Sequence, residues 1–189
     1  MIVGLGNPGP DYSANRHNVG QMALDVLAAR LGAKFKSHKA GAAVAEARLG
    51  MGGAKLILAK PNTFMNISGK PVAALLKFYD LTEANLIVLH DELDIPPATV
   101  RLKQGGGHAG HNGLRDIIAA IGTNDFSRVR IGIGRPPGRM ETADFVLKDF
   151  SSTERKDLPV TLEIAADAVE AIVADGVALA SGRFHAPTE

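Results

Sequence analysis

Hydrophobic and polar residues follow one another along the chain in a pattern that predicts strands followed by helices. The first five residues, MIVGL, form a short apolar run that is typical of a buried strand. In VGQMALDVLAARLG, apolar side chains recur three and four residues apart, which predicts a helix. The runs AVAEARL and AKLILAK flank the turn GMGG, and this arrangement favours a β-hairpin.

The remainder of the chain continues this alternation. Further strands are predicted in NLIVLHDEL, ATVRLKQ and RVRIGIG, and further helices in SGKPVAALLKFYD, HNGLRDIIAAIG and most of the last third. Strands that alternate with helices predict an α/β fold, in which helices enclose one sheet. Because the hairpin adds antiparallel pairing, we expect a twisted, mixed β-sheet. The length of 189 residues suits a single domain that spans residues 1–189.

Composition narrows the class of protein. Hydrophobic residues make up 46% of the chain, but no apolar run is long enough to span a membrane, so we expect no membrane partner. The first residues lack the pattern of a secretory signal, and there is no cysteine to form a disulfide; both features favour a cytoplasmic location. The formal net charge of +1 is too small to coat nucleic acid non-specifically. A nucleic-acid partner would need a local basic patch.

Three polar loops follow predicted strands. The segments GLGNPG, AKPNTFMN and VLHDELD each turn polar where an apolar run ends. In open α/β sheets, ligands bind in the crevice at the carboxyl ends of the strands. We therefore expect the three loops to converge on one site.

The first of these loops admits a dinucleotide-binding interpretation. Gly4 to Gly9 match the motif GxGxxG after a strand, and Asp25 stands near the distance expected of a ribose-binding acid. That motif needs a helix that begins within it, however, and here a long polar loop comes first, so we disfavour this interpretation. Asn7 precedes a proline, which favours an extended backbone and an amide held at the sheet edge. The alternative for Asn7 is an ordinary turn asparagine.

The glycine-rich stretch at 105–110 admits a metal-binding interpretation. His108 and His111 lie three residues apart, and His90 ends a predicted strand. A zinc site needs further ligands and supporting hydrogen bonds, and glycine-rich flanks do not pre-form one. We therefore expect no metal, and we expect residues 105–110 to move as a gate over the cleft. Asn112 stands near the N-cap position of the next helix, where simple capping is the alternative to a role in binding.

A histidine and a buried carboxylate supply the candidate catalytic pair. Asp91 ends an apolar strand, where a carboxylate without a partner is costly. His17 lies just before the first helix; taken alone, it would more commonly be an exposed loop histidine. A histidine oriented by an aspartate is a general base. Because there is no cysteine and no GxSxG motif, the nucleophile would be water.

Further polar side chains indicate what the site binds. The amides of Asn7, Asn66 and Asn112 suit a substrate rich in carbonyl and N–H groups, such as a peptide, and one of them would stabilise an oxyanion. Two alternating basic pairs lie on predicted strands, Arg101 with Lys103 and Arg128 with Arg130. The ordinary explanation of such a pair is a solvated strand face. On adjacent strands, the two pairs would form a phosphate clamp.

Four stretches taken together resemble the successive signatures of the bacterial peptidyl-tRNA hydrolase family. They are VGLGNPGPDYSANRHNVG, KPNTFMNISGKPV, VLHDELDIPPATVRLKQGGGHAGHNGLRDI and FSRVRIGIGRP. The resemblance runs in order from residue 2 to about residue 136, and the helical last third is similar in character. The ending RFHAPTE lacks a basic tail, so we assign no RNA contacts to it.

The resemblance implies an esterase that cleaves the bond between a peptide and the 3′ end of tRNA and so recycles tRNA from aborted translation. It implies a cytoplasmic monomer that needs neither metal nor cofactor. His17 would be the catalytic base, Asp91 its support, and Asn7 the residue that senses an acylated amino group. Asn66 and Asn112 would contact the peptide and the 3′ end, and Tyr12 and Phe64 would contact the terminal adenosine. Met65 and His111 would line the cleft. Lys103 and Arg130 would bind the tRNA 5′-phosphate. Arg128 could exchange roles with Arg130, and His108 receives no catalytic role.

The rival from another class is a non-catalytic RNA-binding protein on the same scaffold. Such a protein would be expected to have lost the base or its partner amides. The sequence keeps all of them, namely Asn7, His17, Asn66, Asp91 and Asn112. Their presence argues for the enzyme.

Overall fold

The computed structural model describes residues 1–185, and the last four residues of the ending RFHAPTE lie outside them. The strands are β1 Ile2–Gly4, β2 Lys36–His38, β3 Ala42–Arg48, β4 Lys55–Pro61, β5 Ile87–Glu92, β6 Val100–Gln104 and β7 Ser127–Gly132. The helices are α1 Val19–Arg30, α2 Gly69–Phe78, α3 Asn112–Ile121, α4 Thr142–Val146 and α5 Glu154–Phe184. Short 3-10 turns lie at Arg16–Asn18, Met65–Ile67 and Glu83–Asn85.

The seven strands form one sheet in the order β2-β3-β4-β1-β5-β7-β6. Strands β4, β1, β5 and β7 run parallel, whereas β2 with β3, β3 with β4 and β6 with β7 pair antiparallel. The prediction of a mixed α/β sheet is therefore confirmed. The predicted hairpin is β3 and β4, in which Arg48 pairs with Lys55 beside the turn.

Helices cover both faces of the sheet, as the sequence predicts. Helices α1 and α5 pack on one face around a core that includes Leu24, and α2 and α3 pack on the other around a core that includes Leu75. Along β5, Val88 enters the second core and Leu89 the first, because successive side chains of a strand point to opposite faces. Burial of each such side chain contributes about 1.5–3 kcal/mol. Within residues 1–185, no helix combines the length and the apolar character that crossing a membrane requires.

Two elements of the structure were not predicted, β2 and α4. Strand β2 has the sequence KSH, without apolar alternation, and it forms an outer edge of the sheet. Polar and charged side chains suit an edge strand because they discourage pairing with another chain. Helix α4 is only five residues long, too short for helical periodicity to stand out.

Two glycines bring the start of α1 against the centre of the sheet. A Cβ on Gly20 would lie 2.2 Å from the carbonyl oxygen of Leu89, and one on Gly4 would lie 2.6 Å from the carbonyl oxygen of Gly20. Neither position has space for a side chain. This close approach places the 3-10 turn Arg16–Asn18, immediately before α1, beside the carboxyl end of β5.

The end of α5 lies on the edge strand β6. Gly176 has non-helical backbone angles (φ 81°, ψ 160°), so the helix bends there. Beyond the bend, Arg101 donates to the carbonyl oxygen of Phe184 at 3.0 Å, and His185 Nε2 accepts from the Leu102 amide at 2.9 Å. The second bond satisfies a backbone amide of a strand edge that would otherwise face solvent.

Candidate active site

The carboxyl ends of β4, β1 and β5 meet at one edge of the sheet, because these three strands are adjacent and parallel. The loop after β1 carries Asn7, the segment after β4 carries Met65 and Asn66, and β5 itself carries Asp91. The 3-10 turn before α1 brings His17 to the same edge. The loops thus converge, as the sequence predicts.

His17 and Asp91 form a buried pair. Nδ1 of His17 lies 2.8 Å from Oδ2 of Asp91, and the two residues are only 9% and 4% exposed. Because an ionised carboxylate can only accept, Nδ1 of His17 carries the proton and Nε2 keeps its lone pair. This is the tautomer that a general base needs.

Asp91 also holds a second imidazole. Nε2 of His111 lies 2.7 Å from Oδ1 of Asp91, while Nδ1 of His111 accepts from the backbone amides of Gly113 and Leu114 at 3.1 and 3.3 Å. Since Nδ1 accepts, Nε2 must donate, and the tautomer of His111 is fixed. One carboxylate therefore orients two rings, whose centroids are 5.0 Å apart.

His111 takes the N-cap position of α3, and Asn112 lies next to that position, near which it was predicted. The physical reason is that the His111 ring, held by Asp91, reaches the free amides at the start of the helix. Asn112 is instead the first residue of α3, and its side chain is exposed.

The pairing changes the proton affinities of both partners. Burial alone would raise the pKa of the Asp91 carboxyl, but the neighbouring His17 and His111 outweigh burial and hold that pKa well below its usual range. Burial alone would lower the pKa of His17, but the charge and the hydrogen bond of Asp91 outweigh burial and raise that pKa above the ordinary 6.5. The carboxylate therefore stays ionised and favours an imidazolium at His17.

Hydrogen bonds fix the side chain of Asn7. Its Oδ1 accepts from the Met65 amide at 2.7 Å. Its backbone is held by Asn18, which accepts from the Asn7 amide through Oδ1 and donates to the Asn7 carbonyl through Nδ2, both at 2.9 Å. Because Oδ1 is already engaged, the amide presents its Nδ2 donor to a ligand. Asn18 was not predicted as a site residue, although the spacing of asparagines in NRHN was a visible signal.

Comparison with known proteins identifies the family. A family model described as peptidyl-tRNA hydrolase matches residues 1–189. The chain is 62% identical over 185 residues to the peptidyl-tRNA hydrolase of Arthrobacter sp. (strain FB24), covering 98% of this chain and 95% of that protein. The chain belongs to the peptidyl-tRNA hydrolase family.

Other members of the family agree in sequence and structure. The peptidyl-tRNA hydrolase of Leifsonia xyli subsp. xyli (strain CTCB07) is 60% identical over 185 residues, covering 98% of this chain and 96% of that protein. The crystal structure of peptidyl-tRNA hydrolase from Acinetobacter baumannii matches with a TM-score of 0.90 at 38% identity, covering 98% of this chain and 93% of that chain. The predicted resemblance is confirmed, and with it the prediction that this chain is an enzyme of the hydrolase class.

The structure divides the implied site residues between two neighbouring recesses. One, of about 360 Å³, is lined by His17, Asp91, His111 and Asn112 together with apolar side chains such as Val146. The other, of about 300 Å³, is polar and is lined by Asn7, Asn18, Gln21, Lys60 and Asn62, among others. The two recesses therefore differ in the side chains that line them.

The implied aromatic contacts lie together outside these recesses. The rings of Tyr12 and Phe64 meet edge to face, with centroids 6.2 Å apart, and Phe64 is 53% exposed. Asn66 follows in an exposed position. Met65 was expected to line the cleft, but its side chain is only 4% exposed, and a Cβ on Gly113 would lie 2.5 Å from its sulfur. Met65 supports the site mainly through packing and through the hydrogen bond that its backbone amide donates to Asn7.

The two basic pairs face each other across β6 and β7. In the register of these strands, Arg101 lies opposite Arg130, and Lys103 lies opposite Arg128. Lys103 is exposed, and Arg130 lies 3.8 Å from Glu92. Arg128, in contrast, is only 2% exposed. Like charges placed directly opposite each other destabilise a sheet.

The metal-binding interpretation receives little support from the geometry. Among residues 1–185, the group that could hold an ion is His17, Asp91 and His111, whose ligand atoms lie within 4.8 Å, and not the trio suggested by the sequence. A metal needs an unprotonated Nε2 on His111, which would force the proton onto Nδ1 against two backbone amides. His108 Nδ1 accepts from the Gly110 amide. Burial, and next His111, lower the pKa of His90 to about 3, so His90 stays neutral.

The dinucleotide-binding interpretation is wrong. The chain runs through a long loop and a 3-10 turn after β1, and α1 begins only at Val19 and not within the glycine motif, as a dinucleotide site requires. Asp25 lies on α1 and pairs with Lys60, at 2.6 Å between Oδ1 and Nζ.

Proposed function

We propose that this enzyme hydrolyses the ester bond between a peptide and the 3′ end of tRNA, with water as nucleophile and His17 as general base. The hydrogen bond between His17 and Asp91 carries the proposal, because it leaves Nε2 of His17 free to take a proton. The relatives at about 60% identity are named for the same substrate. The role in the cell would be to recycle tRNA from aborted translation.

The reaction would proceed in two stages. Nε2 of His17 takes a proton from water as the water attacks the ester carbonyl, and Asp91 stabilises the imidazolium that forms. The tetrahedral intermediate then expels the 3′ oxygen of the ribose, to which the imidazolium returns the proton. Asn66 or a nearby backbone amide would meet the oxyanion. General-base catalysis contributes about 10²- to 10⁴-fold, so positioning and oxyanion stabilisation must supply the rest.

Asn7 would distinguish peptidyl-tRNA from ordinary aminoacyl-tRNA. Its Oδ1 is bound to the Met65 amide, so the group that remains is a donor. The carbonyl oxygen of an acylated amino group accepts a hydrogen bond from that donor. The free ammonium of an aminoacyl-tRNA has only donors and cannot. Preference for an acylated substrate follows from this mismatch.

The tRNA would be held at two places. The exposed ring of Phe64 and the half-buried ring of Tyr12 offer aromatic surface on which the terminal adenosine could stack. Lys103 and Arg130, which we call the phosphate clamp, would bind the 5′-phosphate. Asn112, in the recess that His17 and Asp91 line, would contact the peptide side. We further propose that the enzyme acts as a cytoplasmic monomer without metal or cofactor.

Lys103→Ala is expected to raise KM for the tRNA substrate without changing kcat, because Lys103 would contact phosphate and not the ester. The slope of log affinity against log salt should fall by about 1. Steady-state kinetics at several salt concentrations measure both quantities. Lys36→Ala provides a matched control, since Lys36 is an exposed lysine on the edge strand at the other end of the sheet. A fall in kcat for Lys103→Ala at unchanged KM and salt dependence would contradict the clamp.

Release of the blocked amino acid from N-acetyl-aminoacyl-tRNA tests the proposed function as a whole. The enzyme should turn over this substrate many times and should spare the same tRNA with a free amino group. Tight binding of tRNA without any hydrolysis would instead favour a non-catalytic RNA-binding protein.

A further inference from the structure

Arg128 is a buried arginine that neither the catalytic pair nor the phosphate clamp uses. It lies on β7 and is 2% exposed. Its guanidinium donates to the carbonyl oxygens of Gly106 and Gly107, at 2.5 and 2.6 Å. It also lies over the ring of Phe126, 4.8 Å from the centroid. Arg128 therefore joins the sheet to the glycine-rich residues 105–110, which we call the glycine segment.

No carboxylate of residues 1–185 lies within 4.0 Å of the Arg128 guanidinium. Arg130 disfavours its charge, Glu92 favours it from beyond ion-pair distance, and Lys103 stands opposite it in the strand register. A buried cation without an ion pair is costly, and an apolar side chain at this position would avoid the cost. The two hydrogen bonds to the glycine segment offset part of this cost.

The glycine segment connects the phosphate clamp to the catalytic end of the cleft. At its start, a Cβ on Gly106 would lie 2.6 Å from Nζ of Lys103, so the lysine lies against the segment. At its end, the amide of His111 donates to the carbonyl oxygen of His108 at 2.8 Å. His111 then binds Asp91, and Asn112 follows. A shift of the segment would therefore displace His111, which binds Asp91, and Asn112, which follows it.

We propose that Arg128 is a positioning residue that holds the glycine segment in place and thereby sets His111 and Asn112 for the reaction. The proposal rests on the proposed function and adds a residue to it. Arg128 would act on the rate of the chemical step, whereas the phosphate clamp acts on binding. The predicted mobility of the glycine segment would then be limited at Gly106 and Gly107, where Arg128 is attached.

Arg128→Lys separates positioning of the glycine segment from binding of phosphate. Lysine keeps the charge, but it cannot form the bidentate hydrogen bonds of a planar guanidinium to two carbonyl groups. The substrates are N-acetyl-aminoacyl-tRNA with a 5′-phosphate and the same tRNA with a 5′-hydroxyl. We expect kcat to fall about 10- to 100-fold on both, since small misplacements of a site cost this much. The ratio of the two KM values should stay as in the wild type. Arg155→Lys is the matched control, because Arg155 donates to a carbonyl oxygen, that of Phe150, away from the glycine segment.

Two outcomes would overturn the proposal. If kcat is unchanged and KM rises only for the tRNA with a 5′-phosphate, Arg128 contacts phosphate directly. If both parameters are unchanged and only the Tm falls, Arg128 merely supports the fold. A wild-type enzyme that fails to hydrolyse either tRNA would instead refute the proposed function, which is a different result.

Gly106→Ala tests the same proposal if Arg128→Lys does not fold. Gly106 has a left-handed backbone (φ 93°), and a Cβ there meets the Lys103 side chain, whereas a Cβ on Gly107 meets nothing within 4 Å. We therefore expect Gly106→Ala to lower kcat on both tRNAs much more than Gly107→Ala does. Amide hydrogen exchange should also speed up across the glycine segment in Gly106→Ala. Wild-type kcat in a folded Gly106→Ala variant would overturn the proposal.

Discussion

Replacement of His17 by alanine should lower kcat for N-acetyl-aminoacyl-tRNA by about 10²- to 10⁴-fold, the usual contribution of a general base. The ring of His17 is bound through Nδ1 to Asp91, and its Nε2 is the group that would take the proton from water. Removal of the ring takes away the group that would accept a proton from the water that attacks the ester. KM should change little, because the proposed contacts with tRNA and peptide lie on other residues.

The loss should not come from unfolding. Asp91 keeps its bond to His111 in this variant, so the buried carboxylate retains one partner. The Tm and the circular dichroism spectrum should therefore stay near those of the wild type. His38→Ala is a suitable control, since His38 is another histidine near the end of a strand but belongs to β2 at the edge of the sheet. Near-normal turnover by His17→Ala would refute the role of His17 as base.

Asp91→Asn should lower kcat by about 10³- to 10⁴-fold, because the change forces His17 into the wrong tautomer. The tautomer of His111 is fixed by the amides of Gly113 and Leu114, so its Nε2 must still donate. The new amide would therefore turn its oxygen towards His111 and its amino group towards His17. Nδ1 of His17 would then accept, and Nε2 would carry the proton and could not act as a base.

Steady-state kinetics together with thermal unfolding measure this effect. Asp94→Asn is the matched control, because Asp94 is an exposed carboxylate just beyond β5 that pairs with Arg135. The control should keep wild-type kcat. A kcat for Asp91→Asn within a few fold of the wild type would contradict the tautomer argument.

The location of the site could be predicted because the patterns that mark it lie within short stretches of the sequence. An apolar run that ends in polar residues marks the carboxyl end of a buried strand, and parallel strands bring such ends together. Asp91 was a candidate because a carboxylate at the end of an apolar strand needs a partner. In the structure, Nδ1 of His17 lies 2.8 Å from Oδ2 of Asp91.

The features of the site that were not predicted depend on contacts between distant segments. The N-cap at His111 follows from the position of Asp91, twenty residues earlier, which holds the ring in reach of the helix amides. Strand alternation predicted that Arg128 and Arg130 share a face, but it could not show that the glycine segment folds over one of them. Burial of Arg128 follows from that segment and not from the strand itself.

The pH dependence of kcat/KM for N-acetyl-aminoacyl-tRNA tests the central claim most directly. His17 must be unprotonated to act as a base, and Asp91 raises its pKa above 6.5 despite the opposing effect of burial. The rate of the wild type should therefore rise with pH through an apparent pKa above 6.5 and then reach a plateau. A rate that is independent of pH in this range, or that falls as pH rises through it, would contradict a general base at His17 held by Asp91.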